Sequence, residues 1–223
     1  MCIRDRNKNK IVELVKDYVH PETGEIVNKD RLELKGLGYT KFILKEGGTL
    51  GDLYMNADFI RDDKGYIQID KNGGVAKTDN LPDIKLGSVF PKANLAWNNS
   101  FSYKGIYAGF QLSARLGGIV YSATQAALDQ YGVSEASAAA RDRGGLLVNG
   151  RSWVNAQQYY EIVATSSGLP QYYTYSATNL RLQEAHIGYT IPRKWLGNIC
   201  DINVSVVGRN LWMIYCKAPF DPE

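Results

Sequence analysis

The residues able to do chemistry are few and far apart. His20 and His186 are the only two histidines, and His20 stands in the turn-like run His20-Pro21-Glu22-Thr23-Gly24. His20 with Glu22 could begin a metal site, but no third ligand follows at a supporting spacing. Cys2, Cys200 and Cys216 make an odd number with no C-x-x-C pair, which predicts free thiols rather than zinc or a disulfide framework. Ser113 and Ser205 lack a base in recognisable context, and neither a Gly-x-Ser-x-Gly elbow nor a phosphate-cradling glycine loop occurs. Gly47-Gly48 and Gly144-Gly145 read as turns. The expectation is a protein that is not an enzyme, with no catalytic residue, no metal and no cofactor. Its 26 basic and 23 acidic residues nearly balance at +3, so charge does not point to nucleic acid.

What remains is a set of hydrogen-bonding side chains spaced by strands. In 94–104 the odd positions Leu95, Trp97, Phe101 and Tyr103 are apolar or aromatic, while Asn98, Ser100 and Ser102 are polar. In 106–116 the even positions Ile106, Ala108, Phe110, Leu112, Ala114 and Leu116 are apolar, against Gln111, Ser113 and Arg115. Lys104-Gly105 leaves room only for a tight hairpin turn. Residues 179–191 begin apolar at Leu180 and Leu182 and end so at Ile187, Tyr189 and Ile191, a change of parity that predicts a bulge near Gln183–Ala185. Ile202, Val204 and Val206 open a further strand whose even face reaches Trp212. Upstream, Ile11–Val15, Tyr39–Leu44, Leu53–Ile60 and Gly65–Ile69 read as weaker strands. No long helix is expected, only about two turns over Thr124–Tyr131 with Thr124 as N-cap.

Hydrophobic residues at 44% exclude wholesale disorder, and no apolar run is long enough for a transmembrane helix. The start, Met1–Arg6, lacks the apolar stretch of a secretory signal and reads as foreign or artefactual. Connections then discriminate between all-β classes. The turn at 104–105 is short, 117–178 is very long and 192–199 is short again, the asymmetry of an outer-membrane barrel with tight periplasmic turns and extended outer loops. In that orientation Trp97 and Trp212 fall near the upper strand ends and Tyr103 and Tyr189 near the lower, on the lipid side, as interfacial girdles do. The other strand face would line the interior with Asn98, Ser100, Gln111, Arg115, Arg181, Asn203 and Arg209. The long loop carries Trp153, Tyr159, Tyr160, Tyr172 and Tyr173, suited to a ligand or a protein lid. An excess of Tyr, 15 against 6 Phe, fits both places.

Several short motifs, in one order, resemble the late barrel region of the SusC/RagA family of TonB-linked outer-membrane transporters. They are Phe90-Pro91-Lys92, the run from Trp97 to Gly105, Val120-Tyr121-Ser122-Ala123-Thr124, Leu180-Arg181-Leu182, Gly188-Tyr189-Thr190-Ile191-Pro192, Gly208-Arg209-Asn210-Leu211 and Phe220-Asp221-Pro222-Glu223. The resemblance covers about residues 40–223. It implies an all-β, antiparallel transmembrane β-barrel segment, about seven or eight strands of a 22-stranded barrel, lacking the plug and the last strand. The implied organisation is a foreign start at 1–6, weakly patterned barrel strands at 7–93, transmembrane hairpins at 94–116 and 179–213, an extracellular loop at 117–178, and a truncated outer loop at 214–223. It further implies import of oligosaccharides or peptides across the bacterial outer membrane, with a SusD-like surface lipoprotein as lid and energy delivered through TonB. The alternatives are a small independent membrane barrel of structural or adhesive role, and a soluble glycan-binding β-sandwich.

Overall fold

Two alternating segments of matched length can lie side by side only if the chain reverses sharply between them, and Ala93–Tyr103 and Ile106–Leu116 do so. Tyr103 faces Ile106, and Lys104 and Gly105 both take left-handed backbone angles, φ 47° and 88°. That is the two-residue turn whose twist matches its strands. The computed structural model describes residues 1–6, 8–36, 40–165, 167–197 and 200–222. In chain order the strands are β1 (Cys2–Arg6), β2 (Val15–Val19), β3 (Ile26–Lys29), β4 (Arg31–Lys35), β5 (Thr40–Lys45), β6 (Asp52–Met55), β7 (Asp58–Phe59), β8 (Lys77–Thr78) and β9 (Ile84–Ser88). They continue as β10 (Ala93–Tyr103), β11 (Ile106–Leu116), β12 (Ile119–Tyr121), β13 (Leu146–Val148), β14 (Ser152–Val154), β15 (Thr174–Ser176), β16 (Asn179–Ile191) and β17 (Ile202–Cys216). Helices α1 (Ala123–Gln130), α2 (Glu135–Asp142) and α3 (Ala156–Val163) lie between β12 and β15. Contacts divide the chain into two compact units: 1–8, 90–119 and 176–223 form one, and 9–89 with 120–175 the other.

The first unit is one antiparallel sheet in the order β1-β10-β11-β16-β17, with no closed barrel among the described residues. The predicted parity change in β16 occurs at Gln183: Gln111 faces Glu184 while Leu112 faces Leu182, so Gln183 is the extra residue. A second irregularity places Asn210 and Leu211 of β17 opposite this bulge, with Asn210 at φ 50°, a conformation that asparagine tolerates better than most residues. These shifts keep the two faces distinct, although Asn99 falls on the apolar one opposite Phe110 and Val207 on the polar one opposite His186. One row reads Trp97, Leu112, Leu182, Trp212, and another reads Tyr103, Ile106, Tyr189, Val204. β1 breaks the pattern. It pairs with β10 so that Arg4 stands beside Leu95 and Arg6 beside Ala93, while Ile3 falls on the polar side.

The second unit is built from shorter pieces. Residues 7–93, expected to supply barrel strands, contribute to the long sheet only Ala93, the first residue of β10, among the described residues. Their β4, β5, β6 and β9 form a separate four-stranded sheet, and β2 pairs only with β3. In β6 all four residues are buried, which includes Asp52; its carboxylate accepts from Lys85 at 2.5 Å and from the Thr49 hydroxyl at 2.6 Å. The expected strand at Ile11–Val15 starts instead at Val15, Leu53–Ile60 is interrupted after Met55, and Gly65–Ile69 forms only isolated bridges. Tyr39, the expected start of the strand now seen from Thr40, lies outside the described residues. Two turns share one device: Asp62 accepts from the backbone of Lys64 and Tyr66, and Asp70 from that of Asn72 and Gly74. Such side chains substitute for a backbone turn.

The segment 117–178 holds more helix than its sequence predicts. α1 begins one residue earlier than expected because Ser122, not Thr124, caps it, accepting from the Gln125 N–H at 3.2 Å. α2 is capped by Ser134 and α3 by Asn155. Eight residues are too few for a helix to hold by propensity alone, so packing decides. That packing is two apolar clusters: Ala57, Phe59 and Val75 meet Ala126, Val148, Val154, Val163, Leu169 and Tyr173 in one, and Ala140 of α2 meets Ala156 and Tyr160 of α3 in the other.

Candidate functional site

The alternation of β10, β11, β16 and β17 sorts the predicted site residues onto two faces. On the apolar face Tyr103 is 70% exposed, Trp212 64%, Phe101 60% and Ile187 59%. An open patch of this extent marks an interaction surface, because isolated exposed apolar residues are ordinary but contiguous ones are not. Trp97 meets Phe110 edge-on at 5.6 Å between centroids, and both rings belong to this face.

The opposite face carries the polar set. Asn98, Ser100 and Asn203 are exposed, and Gln111 and Arg115 are half-buried. Asn98 also joins the start of the chain to the sheet, its N–H donating to the Met1 carbonyl and its carbonyl accepting from the Met1 ammonium. Arg209 donates to Glu184 at 3.1 Å, and His186 lies 3.8 Å from the same carboxylate. The bulge turns Gln183 toward this side, where its amide oxygen accepts from Ser113 at 3.4 Å. Two glycines make room for two rings: a Cβ on Gly188 would stand 2.4 Å from Tyr107, and one on Gly109 would stand 2.6 Å from His186. Tyr107 and His186 are themselves neighbours, 6.4 Å between centroids. Arg181 differs from the others in being buried and bound to Asp221 at 2.5 Å, so its charge serves the segment after β17 before any solute.

The loop aromatics divide differently from the expectation. Trp153 is 57% exposed, but Tyr160 and Tyr173 are buried and Tyr159 is half-buried. Phe59 lies between Tyr159 and Tyr172, at 6.0 and 5.2 Å. The Tyr172 hydroxyl donates to Asp58 at 3.1 Å, and burial with the Asp58 charge pushes its pKa up to about 12. The Tyr173 hydroxyl donates to buried Asp129 at 2.9 Å, and desolvation with that bond raises it further. Asn149, at the tip of the β13–β14 hairpin, exchanges two hydrogen bonds with the Ile67 backbone, as a strand neighbour would. Gln171 donates its amide to the Ala57 carbonyl at 3.3 Å and to Asp58 at 3.2 Å. Sequence reasoning did not identify these anchors; Asp58, Asn149 and Gln171 carry no periodic signal. The Asn149-Gly150 pair, a strong hairpin cue, was the available one.

No protein-family model matches this sequence, and no curated protein matches it. Solved structures do. The RagAB peptide importer in its closed-closed state aligns over 90% of this chain with a TM-score of 0.55 and 17% identity, and the RagAB peptide transporter over 90% with 0.57 and 17%. The same importer in its open-open state aligns over 99% with a TM-score of 0.57 and 15% identity. In each case the chain spans 23% of the matched chain. At these identities the shared property is the fold: this chain has the backbone architecture of about a quarter of the RagAB importer chain it matches.

Proposed function

We propose that the chain is part of a SusC/RagA-type, TonB-dependent transporter of the bacterial outer membrane, importing peptides or oligosaccharides with a SusD-like lipoprotein as lid. The observation that carries this reading is the largely apolar face that β10, β11, β16 and β17 share, open along its length with Asn99 in its middle row, opposite a face of hydrogen-bonding groups. A soluble sandwich would hide the first face and wet the second. From the Ala93 row to the Tyr103 row the apolar face measures about 34 Å along the strand at about 3.4 Å per residue. At the usual tilt of about 40° this is about 26 Å of height, against the roughly 25 Å apolar band of such barrels. On that scale Trp97 and Trp212 lie about 10 Å below the upper margin, inside the band, and the Tyr215 row stands nearer the upper interface. The polar face, with Asn98, Ser100, Gln111, Arg115, Asn203 and Arg209, would line the lumen. β1 has the wrong polarity for the wall, since Arg4 and Arg6 share the lipid side, which supports reading residues 1–6 as foreign to it.

Lipid-borne quenchers test this. In variants retaining a single tryptophan, brominated acyl chains are expected to quench Trp97 and Trp212 and to leave Trp153 unaffected. Equal quenching at all three, or none at Trp97 and Trp212, would overturn the assignment.

A further inference from the structure

Within the loop unit the C-terminal end of α1, one side of α2 and the first turns of α3 enclose a groove of about 390 Å³, the size of a small-ligand site. Its floor is buried: Ser137, Ala156 and Tyr160 are each less than a tenth exposed. Tyr160 lines the groove with its ring mostly buried, at 8% exposure, and its hydroxyl makes no hydrogen bond among the described residues, which leaves that donor to water or to a ligand.

A second unused donor faces the same space. Arg141 lines the groove, and its guanidinium makes no hydrogen bond or ion pair among the described residues. Two residues on, Arg143 is spent on its own helix, donating to the Ala139 carbonyl at 2.9 Å. The Arg141 guanidinium lies close to Gly132, where a Cβ would stand 2.9 Å from Nη1. The two carboxylates of the lining already accept hydrogen bonds. Asp129 takes Tyr173 at 2.9 Å and the Gln125 amide at 3.0 Å, and Glu161 takes the Gln157 amide at 2.8 Å. What the groove leaves unmatched is thus a planar cationic fork and a phenolic O–H, with Tyr131, 75% exposed, as an aromatic lip.

We infer that this groove binds a carboxylate carried by the imported solute, with Arg141 as its fork-like receptor, Tyr160 as a second donor and Tyr131 as a stacking wall. The inference rests on the importer reading above and names its substrate chemistry. A carboxylate can come from a peptide C-terminus or from an acidic sugar, and the test separates them. Binding of trialanine, trialanine amide and glucuronic acid to the full chain is measured by calorimetry. One or both acids should bind, and whichever binds should weaken at least tenfold with Arg141→Gln and severalfold with Tyr160→Phe. Trialanine amide should bind at least tenfold more weakly than trialanine if the peptide is the source; glucuronic acid alone binding would name the sugar. Absence of binding by either acid, or binding indifferent to Arg141→Gln in a variant with unchanged circular dichroism, would overturn the inference. The readout is independent of membrane insertion, so failure of the groove and failure of the importer reading are distinguishable.

Discussion

Placing a charge at the middle of the apolar face separates a lipid-facing wall from a water-facing sheet. Ala185 sits in the row of Asn99, Phe110 and Gly208, within about 3 Å of the midpoint of the band on the height scale above. In Ala185→Arg nothing large is removed and the new side chain projects from the face. In water such a surface change is worth within about 0.5 kcal/mol. At the bilayer midplane an arginine on a barrel's lipid face costs about 2–4 kcal/mol, which is about 30- to 900-fold in the folding equilibrium. The control is Ser100→Arg, exposed on the polar face, where the charge meets the solvated side and should cost no more than about 0.5 kcal/mol. Urea unfolding of both variants from phospholipid vesicles, followed by tryptophan fluorescence, gives the difference directly. Equal stabilities for the two variants, within about 0.5 kcal/mol, would refute the assignment of the apolar face to lipid.

Three further outcomes follow from the packing. Tyr173→Phe removes one of two donors to the buried Asp129 carboxylate and should destabilise the loop unit by about 1–3 kcal/mol; an unchanged thermal midpoint would show that bond to be idle. Gly188→Ala forces a Cβ against the Tyr107 ring and should weaken β11–β16 pairing by about 1–3 kcal/mol. Tyr107→Ala should relieve that cost, so the pair is expected to be strongly non-additive in a double-mutant cycle, and simple additivity would contradict the steric account. Tyr172 is raised from 10.0 to about 12 in the folded chain, so the folded state holds its proton more tightly than the unfolded one. Its contribution is complete below pH 10 and is lost as pH rises from 10 toward about 12. In Tyr172→Phe this part of the alkaline loss of stability should vanish, and an unaltered alkaline limb in denaturant titrations would count against it.

The long sheet was legible in the sequence because a strand's side chains alternate wherever its two faces meet different surroundings. Ile106–Leu116 and Asn179–Ile191 keep the predicted limits, and the bulge at Gln183 was readable as a change of parity. Residues 9–89 and 120–175 offered no such regularity. Their strands are short, β6 is buried on both faces and so shows no alternation, and three eight-residue helices take their stability from tertiary contacts. The same limit applies to the site. Sequence pattern by itself placed Gln111, Arg115, Asn203 and Arg209 on one polar face, since face is a property of parity. Only the tertiary structure decided that Arg181 is bound to Asp221, that Tyr160 and Tyr173 lie inside the loop unit rather than on it, and that Asp58 and Asn149 hold that unit together. Those partners lie tens of residues away in sequence, and no local spacing encodes contacts that the folded chain alone brings within hydrogen-bond reach.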